Sequence, residues 1–189
     1  MNKFIFLDRD GVINKDPVAC NTGKEYISEW EDFHFLPGAL EAIRDLTQNG
    51  YSIGIISNQA GVAKGVYTKE RLDEITAGMI KEIEKYGGKI YSMQYCIHRN
   101  EDNCDCRKPK PGLFKMAAEG LDIDFSNTYF IGDTKRDIQA GKEAGCRTIL
   151  VLSGKIKNEG EIASWELKPD FIKKDLKEAV RFVIHEDEK

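Results

Sequence analysis

Two aspartates stand two residues apart directly after the first apolar segment of the chain. Asp8 and Asp10 follow the sequence KFIFL, which is typical of a buried strand, and Gly11 comes next. Side chains two apart on an extended chain point the same way, so both carboxylates are predicted to face one crevice. Close carboxylates repel each other, and a shared proton or a hard cation relieves that repulsion. An ordinary acidic turn is the alternative, because Asp and Gly are favoured in turns.

Further polar residues follow two other predicted strands. Ser57, Asn58 and Gln59 come after an apolar segment, where a hydroxyl and amides can donate hydrogen bonds to a phosphate. Taken alone, these residues are better explained by a turn that ends the strand. Asp133 follows a later strand and is expected to join the first two aspartates in a magnesium site. Asp137 either supports that site or caps the next helix.

Four side chains that bind soft metals lie within eleven residues of one another. Cys96, His98, Cys104 and Cys106 form a complete tetrahedral donor set for zinc and leave no open position. A closed set is typical of a structural site. The spacer at 100–105 is strongly polar and cannot be core, which argues against buried thiols without a ligand.

Three cations follow the last predicted zinc ligand. Arg107, Lys108 and Lys110 are interleaved with two prolines just before a predicted helix. A solvated basic turn is possible for such a sequence. Its stiffness and its place beside a metal-clamped loop favour an anion-binding segment.

The elements that must position these residues alternate between strand and helix. This alternation implies a mostly parallel sheet with helices on both faces, which binds ligands beyond the carboxyl ends of its strands. The strands are predicted at 3–7, 51–57, 90–95, 128–131, 147–152 and 170–172, and the helices at 37–48, 68–86, 111–119, 137–144 and 176–184.

Length and composition exclude several classes of function. A chain of 189 residues suits one domain, and 28 basic against 32 acidic residues give a net charge of -4. That balance argues against a general nucleic-acid binder. Five cysteines cannot all pair, and the sequence shows no signal peptide and no long apolar run, which predicts a reducing cytoplasmic setting without a membrane partner. No role is predicted for Cys20, Cys146, His34 or His185.

In their order and spacing, these motifs resemble the four motifs of the haloacid dehalogenase superfamily of phosphatases. The matching residues are DRDGV at 8–12, SNQ at 57–59, Lys108, and Asp133 with Asp137. The stretch at 96–109 is similar to the histidinol-phosphatase-like branch. The resemblance implies a Rossmann-like three-layer α/β/α sandwich with no large cap domain, and both magnesium and zinc. We therefore expect a single domain over 1–189 with a zinc loop at about 96–106.

The resemblance also implies a role for each motif. Asp8 is expected to be a nucleophile that forms an aspartyl-phosphate, and Asp10 a general acid and then a base. Ser57 would hold phosphate oxygens and Lys108 would neutralise charge. The implied magnesium ligands are Asp8, the Asp10 backbone carbonyl and Asp133, with Asp137 in support. The residues expected to bind the rest of the substrate are Asn58, Gln59, Lys64, Arg107 and Lys110.

The finer resemblance implies a small phosphorylated sugar as substrate. The sequence SNQAGVAKG at 57–65 favours hydrolysis of the 7-phosphate of D-glycero-D-manno-heptose 1,7-bisphosphate. Histidinol phosphate is the alternative substrate, and a non-enzymatic, zinc-stabilised binding module is a further alternative. The enzyme is expected to act as a monomer without a nucleic-acid partner.

Overall fold

Six parallel strands form one sheet in the computed structural model, which describes residues 3–18 and 23–188. Their order is β3-β2-β1-β4-β5-β6, which is the Rossmann order, so the predicted fold class is confirmed. The strand order reverses between β1 and β4, where such sheets bind ligands. The strands are β1 (Lys3–Leu7), β2 (Tyr51–Asn58), β3 (Ser92–Cys96), β4 (Tyr129–Gly132), β5 (Arg147–Val151) and β6 (Phe171–Lys173).

Within 3–18 and 23–188, five α-helices accompany these strands, and several of their starts differ from the prediction by one or two residues. Helix α1 begins at Ala39 rather than at 37, because Gly38 is its N-cap. Helix α4 begins two residues earlier than predicted, because Thr134 and Asp137 cap it reciprocally through their side chains. Pro111 is the N-cap of α3 rather than its first residue. The helices are α1 (Ala39–Gln48), α2 (Lys69–Lys85), α3 (Gly112–Ala117), α4 (Lys135–Ala144) and α5 (Leu176–Asp187).

Strand β1 is buried on both faces, which explains its continuous apolar sequence. Ile5 and Leu7 enter one core cluster together with residues of α1 and α5. Phe4 and Phe6 enter a second cluster with residues of α3. Because both faces of the sheet are covered, the polar side chains of the functional motifs lie at the ends of β1 and its neighbouring strands.

Cys146 is buried in the second core cluster, whereas Cys20 lies outside the described residues. Within 3–18 and 23–188, none of the helices has the length and apolar character required to cross a lipid bilayer.

Candidate active site and metal centres

Four charged side chains meet where β1 and β4 end, and solvent hardly reaches them. Asp8 follows β1, Asp133 follows β4, and Asp137 lies in the first turn of α4, each between 1% and 7% exposed. The Lys108 ammonium lies 2.9 Å from Asp8 Oδ1 and 2.7 Å from Asp137 Oδ1. It also donates a hydrogen bond to the Ile56 carbonyl at 3.1 Å. The structure thus brings together residues that are up to 129 positions apart in the sequence (Asp8 to Asp137).

Asp8 and Asp137 share the Lys108 ammonium, whereas Asp133 does not contact it, and the pKa values of the three carboxylates reflect this difference. Burial raises the pKa of Asp8 to about 6, with a further contribution from Asp137 and against the opposing charge of Lys108. Burial, then Asp137 and Asp8, also raise the pKa of Asp133 well above its ordinary value. Burial acts on Asp137 in the same direction, but Lys108 and Thr134 lower its pKa overall. Uncompensated negative charge therefore resides at Asp8 and Asp133.

This carboxylate cluster fits a hard divalent cation. Asp8, Asp133 and Asp137 each offer an oxygen, and these oxygens lie within 4.8 Å of one another. Within the described residues, the hydrogen bonds and the ion pair engage Oδ1 of Asp8 and Oδ2 of Asp133, which leaves the second oxygen of each for a metal. Asp137 is engaged differently, because its Oδ2 accepts from the N–H groups of Asp133 and Thr134.

Backbone rather than side chains walls the pocket around Asp133. A Cβ at Gly11, where φ is +84°, would lie 2.3 Å from Asp133 Oδ2, and a Cβ at Gly154 would lie 2.0 Å from the same oxygen. Both distances are far shorter than any real contact, so only glycine is accommodated at either position.

The Asp10 carboxylate is held by three neighbouring side chains. Arg9 donates to it at 3.0–3.2 Å, Asn14 at 2.9 Å and Gln59 at 2.7 Å. Burial would raise the pKa of Asp10, but the charge of Arg9 and the hydrogen bonds from Asn14 and Gln59 lower it. Asp10 is therefore an ionised carboxylate in a defined orientation at neutral pH.

The residues at the end of β2 also have partners within the protein. Gln59 accepts a hydrogen bond from Tyr67 Oη at 2.8 Å and donates to Ser57 Oγ at 3.2 Å as well as to Asp10. Asn58 exchanges two hydrogen bonds, of 3.0 and 3.1 Å, with the backbone of Lys108. The two amides thus orient the reactive groups, and direct binding of substrate by them stays a prediction.

A cavity of about 790 Å³ lies over this edge of the sheet. The predicted cations Lys64 and Arg107 line it, but Lys110 does not. Lys110 instead contacts Asp105 at 3.1 Å and the Asn103 carbonyl at 3.2 Å, because its side chain folds back onto the cysteine loop. The expectation that Lys110 contacts substrate therefore finds no support in its position.

Several residues of the cavity wall were missed by the sequence analysis. Lys155 lines the cavity, its N–H donates to Asp133 Oδ2 at 2.7 Å, and its ammonium lies 3.4 Å from Asp16. It follows β5, so the rule that ligands bind beyond strand ends could have found it. Tyr26 and Trp165 also line the cavity, and both come from loops that no periodicity identifies.

The four predicted zinc ligands converge after β3. The Sγ atom of Cys104 lies 3.6 Å from that of Cys96 and 3.5 Å from that of Cys106. His98 Nδ1 lies 3.7 Å from Cys96 Sγ and 3.3 Å from Cys106 Sγ. A tetrahedron with Zn–S bonds of about 2.3 Å has edges of about 3.8 Å, so the spacing fits zinc. The sulfurs are too far apart for a disulfide.

The crowded thiols also fit a cation electrostatically. Burial, followed by the neighbouring thiols of Cys96 and Cys104, raises the pKa of Cys106 to about 12. Zinc binding would displace such protons and stabilise the thiolates. The same loop orients Arg107, whose guanidinium donates to the His98 carbonyl at 3.1 Å and to Asn100 Oδ1 at 2.6 Å.

The site lies at the switch point of the sheet, and it offers a carboxylate rather than a hydroxyl or thiol as the group that could attack phosphorus. This combination defines the class of haloacid dehalogenase-type hydrolases. Residues 105–179 match the family model described as HAD-hydrolase-like.

Individual relatives narrow the family further. The chain is 37% identical to the D-glycero-beta-D-manno-heptose-1,7-bisphosphate 7-phosphatase of Pseudomonas putida over 153 residues, which covers 81% of this chain and 84% of the relative. The enzyme of the same name from Vibrio cholerae is 39% identical over 166 residues, with 83% and 86% covered. The chain therefore belongs to the family of heptose-bisphosphate phosphatases within the haloacid dehalogenase-like hydrolases.

A solved structure agrees with this assignment. The D,D-heptose 1,7-bisphosphate phosphatase of B. bronchiseptica has a TM-score of 0.88 and 32% sequence identity, with 97% of this chain and 99% of that chain covered. That enzyme was crystallised as a complex with magnesium and phosphate.

Proposed function

We propose that this protein is a magnesium-dependent phosphoric monoester hydrolase that releases the 7-phosphate of D-glycero-β-D-manno-heptose 1,7-bisphosphate. The observation that carries the proposal is the Lys108 ammonium between Asp8 and Asp137, at 2.9 and 2.7 Å, with Asp133 beside them. The relatives, at 37–39% identity over more than 80% of the chain, support the substrate.

Asp8 is the nucleophile in this proposal. Its Oδ1 accepts from the Arg9 N–H at 2.7 Å and from Lys108, and its Oδ2 is left to attack phosphorus or to contact a cation. Attack forms an aspartyl-phosphate on Asp8, and the bond from phosphorus to the sugar oxygen breaks. Lys108 stays close to the transferring group and neutralises the charge that develops there.

Asp10 moves the protons of both half-reactions. In the first it donates a proton to the departing sugar oxygen, and in the second it accepts a proton from the water that hydrolyses the aspartyl-phosphate. Asp10 is ionised in its present surroundings, but the approach of an anionic phosphate raises the pKa of a nearby carboxyl group. Substrate binding therefore supplies the conditions under which Asp10 becomes an acid.

Two metals complete the proposal. Asp8 and Asp133 would hold magnesium with the Asp10 carbonyl, and the bound ion would offset the repulsion between the carboxylates and the phosphate. The magnesium in the related B. bronchiseptica complex supports this assignment. Cys96, His98, Cys104 and Cys106 would hold zinc in a structural role.

The cavity carries cations that suit the second phosphate of a bisphosphate. Arg107 is oriented by the cysteine loop, whereas Lys64 lies 3.1 Å from Glu25 and 5.2 Å from the centre of the Tyr26 ring. Lys155 stands beside Asp16 on another part of the wall. We assign Arg107 and Lys64 to the remainder of the substrate and leave Lys110 to the loop.

The substrate assignment is tested by parallel kinetics with both anomers of the heptose bisphosphate and with histidinol phosphate. We expect kcat/KM to be highest for the β anomer, and ³¹P NMR should show loss of the 7-phosphate only. A kcat/KM ratio near one between the sugar and histidinol phosphate would overturn the assignment, because that ratio is the measure of specificity.

We also propose that the chain works as a single-domain monomer in the cytoplasm. Zinc binding by three cysteines requires reduced thiols, which supports a reducing compartment. The exposed large apolar side chains of the described residues are spread singly along the chain, which favours a monomer. Light scattering of the purified protein would test the monomer, and a dimer mass would contradict it.

A further inference from the structure

Arg9 is a charged residue buried beside the active site, and its side chain takes no part in the proposed mechanism. Its side chain is 1% exposed, and its guanidinium carbon lies 5.9 Å from the centre of the Phe33 ring and 5.7 Å from that of Tyr95. Its side chain donates hydrogen bonds to Asp10, and Nη1 has no hydrogen-bond partner among the described residues.

Stability alone is a poor explanation for this arrangement. A buried ion pair is often no more stabilising than apolar residues of similar volume, because both charges lose their hydration. Here one guanidinium nitrogen is also left without a hydrogen bond, which adds a further cost. The aromatic contacts recover part of that cost, and they also prevent the guanidinium from moving.

Three side chains donate hydrogen bonds to the Asp10 carboxylate, and of these only Arg9 contacts both of its oxygens. Nη2 donates to Oδ1 and Oδ2, each at 3.0 Å, and Nε donates to Oδ1 at 3.2 Å. Asn14 contacts Oδ1 alone and Gln59 contacts Oδ2 alone. A planar guanidinium that contacts both oxygens fixes the plane of a carboxylate, which single donors cannot do.

We propose that Arg9 is a positioning residue: its buried guanidinium, packed against the Phe33 and Tyr95 rings, fixes the plane of the Asp10 carboxylate for proton transfer to the leaving group. This inference rests on the proposed function, in which Asp10 is the acid and the base. Misplacement of a catalytic group by about 1 Å can cost about 10²-fold in rate.

The test compares two leaving groups under single-turnover conditions, with enzyme in excess. A sugar alcohol must be protonated as it leaves, whereas 4-nitrophenolate leaves without a proton. For Arg9→Met we expect phosphoryl transfer from the heptose bisphosphate to slow by about 10²-fold, and transfer from 4-nitrophenyl phosphate to stay near wild type. Asp10→Asn should show the same selective loss.

Two further variants separate positioning from packing. Arg147 also stacks on aromatic rings, 4.6 Å from the centre of Tyr129 and 5.5 Å from that of Phe171, at the other end of the strands. Arg147→Met therefore removes a similar packing contact and should leave both transfer rates unchanged. Arg9→Lys keeps the charge without the planar contact, so the heptose rate should fall by a smaller factor than in Arg9→Met.

An equal fall in both rates for Arg9→Met would overturn the inference, because a merely structural role lowers the active fraction for every substrate. Full heptose activity in Arg9→Met would overturn it as well. If Arg9→Met does not fold, the ratio of the two rates in Arg9→Lys decides in the same way. Wild-type enzyme inactive on the heptose but active on another alkyl phosphate would overturn the proposed substrate alone, and the Arg9 comparison would then use that alkyl phosphate.

Discussion

The carboxylate cluster after β1 and β4 and the cysteine cluster after β3 offer metals different surroundings. The first has three carboxylates, two of which contact one ammonium, and within the described residues one oxygen each of Asp8 and Asp133 accepts no hydrogen bond beneath a cavity of about 790 Å³. The second has four donors at tetrahedral spacing and, among residues 3–18 and 23–188, no further donor in the group. A metal bound to the carboxylate cluster could accept further ligands. A metal bound to the cysteine cluster would already have a complete set of four ligands.

The two clusters also differ in the part of the fold that supports them. The carboxylate cluster is built on strand ends, where backbone pairing fixes the positions of Asp8 and Asp133. Arg107 and Lys108 come from a loop, and that loop has only short elements of its own. Under the proposed function, zinc bound to the cysteine cluster would give this loop the rigidity that the sheet gives the strand ends, and it would shape the site without taking part in the chemistry.

The largest effect is expected at the carboxylate cluster. Asp8→Asn removes the nucleophile, and release of phosphate should fall on the order of 10⁴-fold or more. The fold should survive, because the Asp8 charge is disfavoured by burial and its removal relieves repulsion. Steady-state phosphate release and thermal unfolding without magnesium check both statements. A variant with normal turnover would refute the nucleophile assignment.

Removal of the shared cation tests the balance within the same cluster. Lys108→Met leaves Asp8 and Asp137 buried without the cation that contacts both, which should destabilise the protein by about 3–5 kcal/mol. Loss of one charge-stabilising donor should lower kcat by about 10²–10³-fold. Urea denaturation and kcat at saturating magnesium measure the two effects. An unchanged kcat would separate Lys108 from the reaction.

A substitution in the cysteine cluster should change KM more than kcat. Cys106→Ser should abolish zinc binding and raise KM by about tenfold, because Arg107 loses the carbonyl and amide that orient it. The change in kcat should be smaller, since Asn58 still holds the Lys108 backbone by two hydrogen bonds. Metal analysis and steady-state kinetics provide the measurements.

Cys146→Ser is the matched control for that variant. Cys146 is a buried thiol outside the cluster, so its replacement should leave the zinc content and KM unchanged. Protein purified without added metal and found free of zinc would contradict the proposed structural site.

The smallest expected effect is a pH dependence confined to the carboxylate cluster. Burial raises the pKa of Asp8 from an ordinary 3.8 to about 6. Ionisation of Asp8 therefore destabilises the metal-free fold, and this cost is fully present above about pH 6. Stability without magnesium should therefore gain from Asp8 as pH falls from about 6 towards 3.8. Magnesium must displace such protons, so its affinity should weaken by about tenfold per pH unit for one displaced proton below pH 6.

Thermal unfolding with and without magnesium at two pH values checks this prediction. The gain in Tm on adding magnesium should be larger at pH 7.5 than at pH 5.5, and most of the difference should vanish in Asp8→Asn. An equal gain at both pH values would show that magnesium does not compete with protons at this site.

The sheet and the meeting of its polar strand ends were predictable from the sequence. Parallel strands place their carboxyl ends along one edge, so Asp8 and Asp133 were expected at the same edge, and they lie near each other because β1 pairs with β4. The cysteine cluster was predictable for a local reason, because all its donors lie within eleven residues.

Arg9 and Lys110 show where sequence reasoning stopped. The aromatic rings around Arg9 come from the loop residue Phe33 and from Tyr95 in β3, and no pattern along the chain pairs them. Lys110 has the charge and the neighbourhood of a substrate ligand, but the direction of its side chain depends on Asp105 and the Asn103 carbonyl. Side-chain direction in irregular loops follows from tertiary contacts, which spacing does not encode.

The glycine-walled pocket around Asp133 limits the positions at which the sequence of this enzyme can vary in evolution. Gly11 and Gly154 approach the Asp133 carboxylate so closely that any mutation there blocks the centre, and the wall offers no side chain to exchange. Heritable variation that alters substrate preference must therefore accumulate on the outer wall, at positions such as Tyr26, Lys64 and Lys155. Laboratory selection for a new phosphate ester should enrich substitutions at those outer positions and leave the glycines untouched.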